Sequence, residues 1–215
     1  MQEFNDLIDK AKTVFDQRTA VRDQALIQAR QLTRLSAHTI RAIHRDEVQT
    51  AEDLLMEARV LTLNIQRDLA SYPDVYYAGY TQDAIKEFAE ANLTVALIRN
   101  LELPTPEELG IEYAAYLNGL AETIGELRRK CLDILRQGYS EDAERLLNTM
   151  DEIYNVLVTM DYPDAITSGL RRQTDLVRGI IERTRADLTL SLREQHLQET
   201  LQEALKKCSG TLLGD

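Results

Sequence analysis

Apolar and polar positions follow a helical period along most of the chain. Apolar residues recur at intervals of three and four, which gives each segment one apolar face. The pattern is interrupted at prolines 73, 104, 106 and 163 and at turn-like stretches at 71–79, 100–107 and 138–140. Between these breaks it predicts helices, some of them broken once, at residues 2–45, 46–71, 80–100, 106–137, 140–160 and 163–207. No segment shows the period-two alternation of a β-strand.

Several of these segments are longer than an ordinary globular helix. Long helices joined by short connections favour a bundle over a compact fold of short helices. We therefore predict an all-α fold, a bundle of about six to seven long antiparallel helices. No repeat or low-complexity linker marks a boundary, so we assign residues 1–208 to a single helical domain and residues 209–215 to a flexible tail.

Charge and cysteine content limit the function and the compartment. A net charge of −11 argues against coating duplex DNA by bulk electrostatics, so any contact with nucleic acid requires a local basic patch. Cys131 and Cys208 form neither a paired metal motif nor a disulfide framework, and we expect free thiols in a reducing compartment. The N-terminus has no apolar signal run and no segment suits a membrane span, so we predict a cytoplasmic protein without membrane contact.

A row of arginines on the first predicted helix is the first candidate site. The row consists of Arg30, Arg34, Arg41 and Arg45, flanked by His38 and His44. At about 100° per residue the four arginines share an arc of about 60°, and Leu32, Ile40 and Ile43 project from roughly the opposite side. Residues 25–45 contain no Asp or Glu although acids outnumber bases 36 to 25. Such a row suits an anionic partner, and a solvated face with acidic partners is the alternative.

Four glutamates in two pairs form the second candidate site. Glu87 and Glu90 are spaced i,i+3 and Glu122 and Glu126 are spaced i,i+4, so each pair shares a helix face. Uncharged stretches follow the first pair and precede the second. Carboxylates next to apolar surroundings are unfavourable unless they pair with a cation or hold a metal. The alternative is that these are ordinary glutamates of a helix surface.

The chemistry of an all-oxygen ligand set points to a hard cation, Mg²⁺ or Mn²⁺. Such ions lower the pKa of an attacking water and stabilise the leaving oxygen of a phosphodiester. Gly119 and Gly125 lie three residues either side of Glu122 on the same face. A glycine inside a helix costs about 0.5–1 kcal/mol relative to alanine, so these two indicate a close helix approach or room for a ligand.

Other catalytic chemistry has little support. The chain has three histidines and no GxSxG or Walker-type loop, so metal-independent ribonuclease chemistry on two histidines is not expected. Tyr76, Tyr77 and Tyr80 cluster before the Glu87 helix. They suit base stacking, but packing within a turn is the commoner role of such tyrosines.

Three segments resemble the translin/TRAX family, and the resemblance covers nearly the full chain and is closest to the TRAX side. Residues 22–45, ending in Thr-Ile-Arg-Ala-Ile-His-Arg, resemble the first long helix of that family. Residues 84–91 resemble its glutamate-aromatic-x-glutamate-alanine motif. Residues 119–127 are similar to its glycine-x-alanine-acid-x-x-glycine-glutamate-leucine stretch, which is the most specific of the three.

The resemblance implies a seven-helix protomer that assembles into an octameric shell around single-stranded RNA or DNA. In the TRAX-like branch it implies acids that hold Mg²⁺ and cleave RNA. It assigns Glu87, Glu90 and Glu122 as metal and catalytic residues and Glu126 as a fourth ligand or supporting acid. TRAX typically has aspartate at the position of Glu122, and the longer side chain puts the metal position in doubt.

We therefore predict a homo-octameric, Mg²⁺-dependent (or Mn²⁺-dependent) endoribonuclease that cleaves single-stranded RNA inside its shell. The expected nucleic-acid-binding residues are Arg30, Arg34, Arg41, His44 and Arg45. One alternative is a non-catalytic, translin-like oligomer that binds single-stranded RNA or DNA. Another is a structural helical oligomer with no nucleic-acid ligand, which the charge of −11 suits.

Overall fold

The computed structural model describes residues 2–211, with side chains from 3 to 207. Within this range it contains nine α-helices and no strand. The six long helices are α1 (Gln2–His44), α2 (Val48–Leu69), α4 (Gly79–Ile98), α6 (Tyr113–Leu135), α7 (Glu141–Leu157) and α9 (Leu170–Thr211). The three short ones are α3 (Pro73–Tyr76), α5 (Pro106–Leu109) and α8 (Asp164–Thr167). The all-α prediction is confirmed.

Two predicted helices are each divided by a residue with positive φ. The segment predicted at 106–137 begins as α5, which Thr105 and Glu108 cap reciprocally, and ends at Gly110 with φ of 69°. The segment predicted at 163–207 is interrupted at Ser168, with φ of 55°. A left-handed residue stops the helical hydrogen-bond ladder, so α6 and α9 start afresh after these turns.

The chain divides into two compact units, Met1–Leu120 and Ala121–Asp215, and α6 continues through the boundary. In the first unit α1 packs against α2 and α4. The turn between α1 and α2 places Asp46 at φ of 59°. Ala42, Ala51 and Val95 form a buried cluster next to it. Helix α4 is buried along most of its length, which matches its uncharged sequence after Glu90.

The second unit contains the rest of α6 with α7, α8 and α9. The Ser140 side chain accepts a hydrogen bond from the Asp142 N–H at 3.2 Å and caps α7. One face of α7 is buried, and α7 packs against α9. Cys131 is a buried free thiol, as predicted for this cysteine, and burial raises its pKa to about 12. A thiol held protonated in this way is unreactive at neutral pH.

Helix α9 continues to Thr211, into the segment assigned to the flexible tail, and residues 212–215 lie outside the described part. The side chain of Cys208 is likewise outside it. Among the described helices, none combines the length and the apolar character needed to cross a membrane. The single-domain assignment of residues 1–208 stays a prediction.

Candidate metal centre

Helix α4 places two glutamates among buried apolar residues, where a carboxylate has little access to solvent. Ile85, Phe88 and Ala89 are fully buried on the same two turns. Glu90 is only 9% exposed, and Glu87 is half-buried. An ionised carboxylate with so little solvent requires compensation from a cation or hydrogen-bond donors. Both glutamates have interaction partners in the structure.

A close contact between the backbones of α4 and α6 lies beside Glu90. A Cβ added to Gly119 would lie 2.8 Å from the Ala89 Cβ, 2.9 Å from the Lys86 carbonyl oxygen and 3.0 Å from the Glu90 nitrogen. No side chain fits at these distances, so glycine is required for the helices to meet here. Nothing lies within 4 Å of the corresponding position at Gly125. The close approach predicted from the two glycines is therefore confirmed at Gly119 alone.

Glu122 lies one turn after Gly119 on the same continuous helix. It therefore shares the face of α6 that meets α4 at Gly119. One carboxylate oxygen from each of Glu87, Glu90 and Glu122 lies within 4.8 Å of the others. Mg²⁺ binds oxygen at about 2.1 Å in octahedral geometry, so its ligand oxygens lie about 3 Å apart when adjacent and about 4 Å apart when opposite. The limit of 4.8 Å between the three oxygens is close to this spacing, so this carboxylate group fits a hard divalent cation.

Glu122 is held by a residue that sequence reasoning missed. The Gln173 side chain on α9 donates from Nε2 to the Glu122 Oε1 at 3.1 Å. A donor at this position restrains the carboxylate that it touches, as partners of metal ligands do in known sites. No spacing rule connects residues 51 positions apart, and Gln173 has no motif of its own.

Glu126 is not among the three carboxylates that the structure brings together. Its Oε2 is 3.5 Å from the Arg129 Nη1, an i,i+3 ion pair on α6. The pair is partly exposed and makes a small contribution to stability. The role of Glu126 as a fourth ligand or supporting acid stays a prediction.

The arginine row lies on the solvent side of α1. Arg30, Arg34, Arg41 and Arg45 are exposed, as is His38, whereas His44 is half-buried. Leu32, Ile40 and Ile43 are buried behind them, so the orientation expected from helical spacing is confirmed. Among the side chains of residues 3–207, none pairs ionically with the four arginines. The acids in this part of the chain therefore do not neutralise the charge of the surface.

Comparison with known proteins identifies the family of the chain. No protein-family model matches the chain. A protein of Methanocaldococcus jannaschii, described as uncharacterized, is 33% identical over 206 residues, which cover 94% of this chain and 88% of the relative. A structure of AfC3PO with duplex RNA is 33% identical with a TM-score of 0.79, covering 87% of this chain and 97% of that one. C3PO proteins are translin-family proteins.

The chain belongs to the translin/TRAX family. A crystal structure of AfC3PO gives 31% identity and a TM-score of 0.80 over 87% of this chain and 97% of that one. The structure of apo-NeC3PO is 23% identical with a TM-score of 0.78 over 86% and 96%, which shows the shared fold. The translin/TRAX resemblance seen in the sequence is thus confirmed.

Tyr76 and Tyr77, which precede α4 in this translin-family chain, line a cavity, whereas Tyr80 lies on α4 and is not among the lining residues. The rings of Tyr76 and Tyr77 pack edge to face, with centroids 5.0 Å apart. The Tyr77 hydroxyl donates to the Glu112 Oε1 at 3.3 Å. Tyr80 is half-buried. Packing within the turn thus accounts for part of this cluster, while Tyr77 remains 60% exposed.

Proposed function

We propose that this translin-family protein is an RNA-binding homo-oligomer that cleaves RNA at the carboxylate group of Glu87, Glu90 and Glu122. The observation that carries the proposal is the convergence of three carboxylate oxygens within 4.8 Å on α4 and α6. Three like charges in half-buried surroundings repel one another, and this repulsion opposes the compact state. A divalent cation, Mg²⁺ or Mn²⁺, offsets that repulsion.

The three glutamates would hold the ion, and a bound Mg²⁺ supplies Lewis-acid chemistry for phosphodiester hydrolysis. Glu90 is the least exposed of the three, so its position is the most restrained by packing. Gln173 restrains Glu122 by the hydrogen bond to Oε1. Precise placement of the ligands matters because displacement by about 1 Å can reduce turnover roughly 100-fold.

The arginine row supplies the phosphate-binding surface in this proposal. The four arginines of the row are exposed and without ion pairs in the described chain. His44 is the last residue of the same helix. Guanidinium groups bind phosphate oxygens through paired N–H donors and do not read base identity. We therefore expect affinity that falls steeply with salt and little sequence preference.

Assembly into a homo-oligomer is supported by apolar residues left exposed on the two longest helices. On α1 they are Phe4, Leu7, Ile8, Val14 and Phe15, each at least 50% exposed. On α9 they are Leu190, Leu197, Leu201 and Leu205, each at least 54% exposed. Several large apolar residues left exposed on one helix are typical of a helix that takes part in a protein interface. An octamer and a cytoplasmic location remain our expectation from sequence.

The type of RNA is a separate question. The sequence predicts that the protein binds single-stranded RNA. The same prediction includes single-stranded DNA as a second ligand. The related AfC3PO was solved with duplex RNA. We propose single-stranded RNA as the substrate to be cleaved, and duplex RNA is the competing ligand in the test.

The test is cleavage of an end-labelled RNA, presented as a single strand and as a blunt duplex, with Mg²⁺ and with excess chelator. We expect Mg²⁺-dependent cleavage of the single strand and slower cleavage of the duplex. Binding of either RNA without cleavage at any Mg²⁺ concentration would support instead the non-catalytic translin-like oligomer. The glutamate at position 122, where TRAX typically has aspartate, is the observation that favours this second candidate.

A further inference from the structure

A cavity of about 560 Å³ lies in the first unit, and none of Glu87, Glu90 and Glu122 is among its lining residues. It is formed by the end of α2, by α3 and α5, and by the start of α6. Its lining includes three tyrosines and two glutamates, namely Tyr76, Tyr77, Tyr113, Glu107 and Glu112. No Lys, Arg or His is among the lining residues. Its volume is within the range of small-ligand sites, about 300–1,000 Å³.

Two of the tyrosine rings form an aromatic corner in this cavity. The planes of Tyr76 and Tyr77 meet at 83° with ring centroids 5.0 Å apart. Perpendicular rings present π-electron density along two directions, which is how aromatic cages enclose a cationic head group. Tyr77 and Tyr113 are 60% and 62% exposed, so a ligand has access without unfolding the site.

The two carboxylates give the cavity a negative charge that no neighbouring base neutralises. The Tyr113 hydroxyl donates a hydrogen bond to the Glu107 carboxylate, and the Tyr77 hydroxyl donates one to the Glu112 Oε1 at 3.3 Å. The other oxygen of Glu112 has no partner among the described residues. The charge of Glu112 raises the pKa of the Tyr77 phenol, so that hydroxyl stays protonated. Phosphate groups are repelled here, and cations are attracted.

We propose that this cavity binds a small organic cation, an alkylammonium or alkylguanidinium group held against the Tyr76–Tyr77 corner and neutralised by Glu112 and Glu107. Carboxylates and aromatic faces together provide the two forces that such a head group uses, charge pairing and cation–π attraction. Nucleotide binding is disfavoured because the lining offers no phosphate ligand. The proposal does not depend on RNA cleavage or on the metal centre.

The test is calorimetric titration of the full chain with choline and with its uncharged carbon analogue, 3,3-dimethyl-1-butanol. These probes differ in the charge at one atom and have nearly the same shape. We expect saturable binding of choline and none of the analogue. Equal binding of both would overturn the proposal, because it would show an apolar cavity without cation recognition. Butylammonium and butylguanidinium, titrated in parallel, identify the preferred head group.

Matched variants locate the binding. Tyr77→Leu and Glu112→Gln are each expected to weaken choline about three- to tenfold or more, from the usual strength of a cation–π contact. Glu102→Gln removes an exposed acid outside the cavity and serves as the charge control. Equal weakening in Glu102→Gln would show diffuse electrostatics and would overturn the site.

Circular dichroism establishes that each variant is folded before titration. The substituted side chains are exposed or are surface acids, so we expect wild-type helicity. If Tyr77→Leu alters the fold, Tyr77→Phe replaces it, since this variant keeps the ring and loses only the hydrogen bond to Glu112. Its retention of choline binding supports the aromatic corner, and loss of binding contradicts it.

Discussion

The arginine row of α1 and the carboxylate group of α4 and α6 are held in opposite ways. The arginines are exposed and without ion pairs in the described chain, so we expect them to contribute little to the free energy of unfolding. The carboxylates are half-buried or nearly buried and lie within 4.8 Å of one another. Two charged surfaces of one protein thus differ in their effect on stability. The arginines are expected to affect RNA binding alone, whereas the glutamates link function to stability.

The largest effect is expected from changes to the charge of Glu122. Glu122→Gln removes one of three anionic ligands, and we expect RNA cleavage to fall at least about 100-fold. Glu122→Asp keeps the charge and shortens the side chain to the residue typical of TRAX, so we expect cleavage within about tenfold of wild type. Initial rates on labelled RNA at fixed Mg²⁺ measure both. Glu57→Gln, on the exposed side of α2, is the control. Equal rates for all three variants would refute the site.

The contact that places Glu122 is tested by a pair of glycine substitutions. Gly119→Ala puts a Cβ within 2.8 Å of the Ala89 Cβ, so we expect a loss of about 1–3 kcal/mol in the free energy of unfolding. Gly125→Ala meets nothing within 4 Å and is expected to gain about 0.5–1 kcal/mol. Urea denaturation measures both. Stabilisation by both alanines would mean that α4 and α6 do not meet at Gly119.

The arginine row is tested by the salt dependence of RNA binding. Arg34→Gln with Arg41→Gln removes two phosphate contacts, so the slope of log affinity against log salt should fall by about 1.4 for a single strand. The free energy of unfolding should change by less than about 0.5 kcal/mol, as for ordinary surface positions. Arg171→Gln with Arg193→Gln makes the same change of charge at exposed positions on α9. A similar slope in both double variants would show that the row has no special role.

The smallest effect concerns stability without metal. Glu90→Gln removes charge from a nearly buried site beside two other carboxylates, so we expect the metal-free variant to be within about 1 kcal/mol of wild type or more stable. Mg²⁺ at ten times its Kd should stabilise wild type by about 1.4 kcal/mol and the variant by little. Thermal unfolding with and without Mg²⁺ decides this. A variant much less stable than wild type in chelator would mean that Glu90 has a structural role.

Sequence periodicity was sufficient for the six long helices and for the helix faces of the candidate residues, but it missed the breaks that divide two of the predicted segments. It placed Leu32, Ile40 and Ile43 behind the arginines and put Glu87 and Glu90 on one face of α4, because side-chain direction follows from helical spacing. Periodicity could not show which of Gly119 and Gly125 makes the close helix contact, since both are equally spaced from Glu122. Which glycine meets a second helix depends on where the helices cross.

Contacts between residues far apart in the sequence account for features that periodicity could not predict. Gln173 reaches Glu122 from 51 positions away, and the aromatic corner of Tyr76 and Tyr77 becomes a cavity only when α5 and α6 complete its walls. The breaks at Gly110 and Ser168 depend on left-handed backbone conformations. Glycine gives a local signal for such a conformation, but serine does not. Long-range packing and rare backbone conformations account for these differences.

Measurement of RNA cleavage against Mn²⁺ occupancy tests whether Glu87, Glu90 and Glu122 hold an ion that cleavage requires. The bound fraction of Mn²⁺ is read by electron paramagnetic resonance in wild type, Glu90→Gln and Glu57→Gln at the same protein concentration. We predict a saturable Mn²⁺ site in wild type and Glu57→Gln that is lost in Glu90→Gln, with the cleavage rate rising in proportion to occupancy. Equal Mn²⁺ binding by all three proteins, or cleavage that proceeds in Glu90→Gln as in wild type, would show that these glutamates do not form the catalytic metal centre.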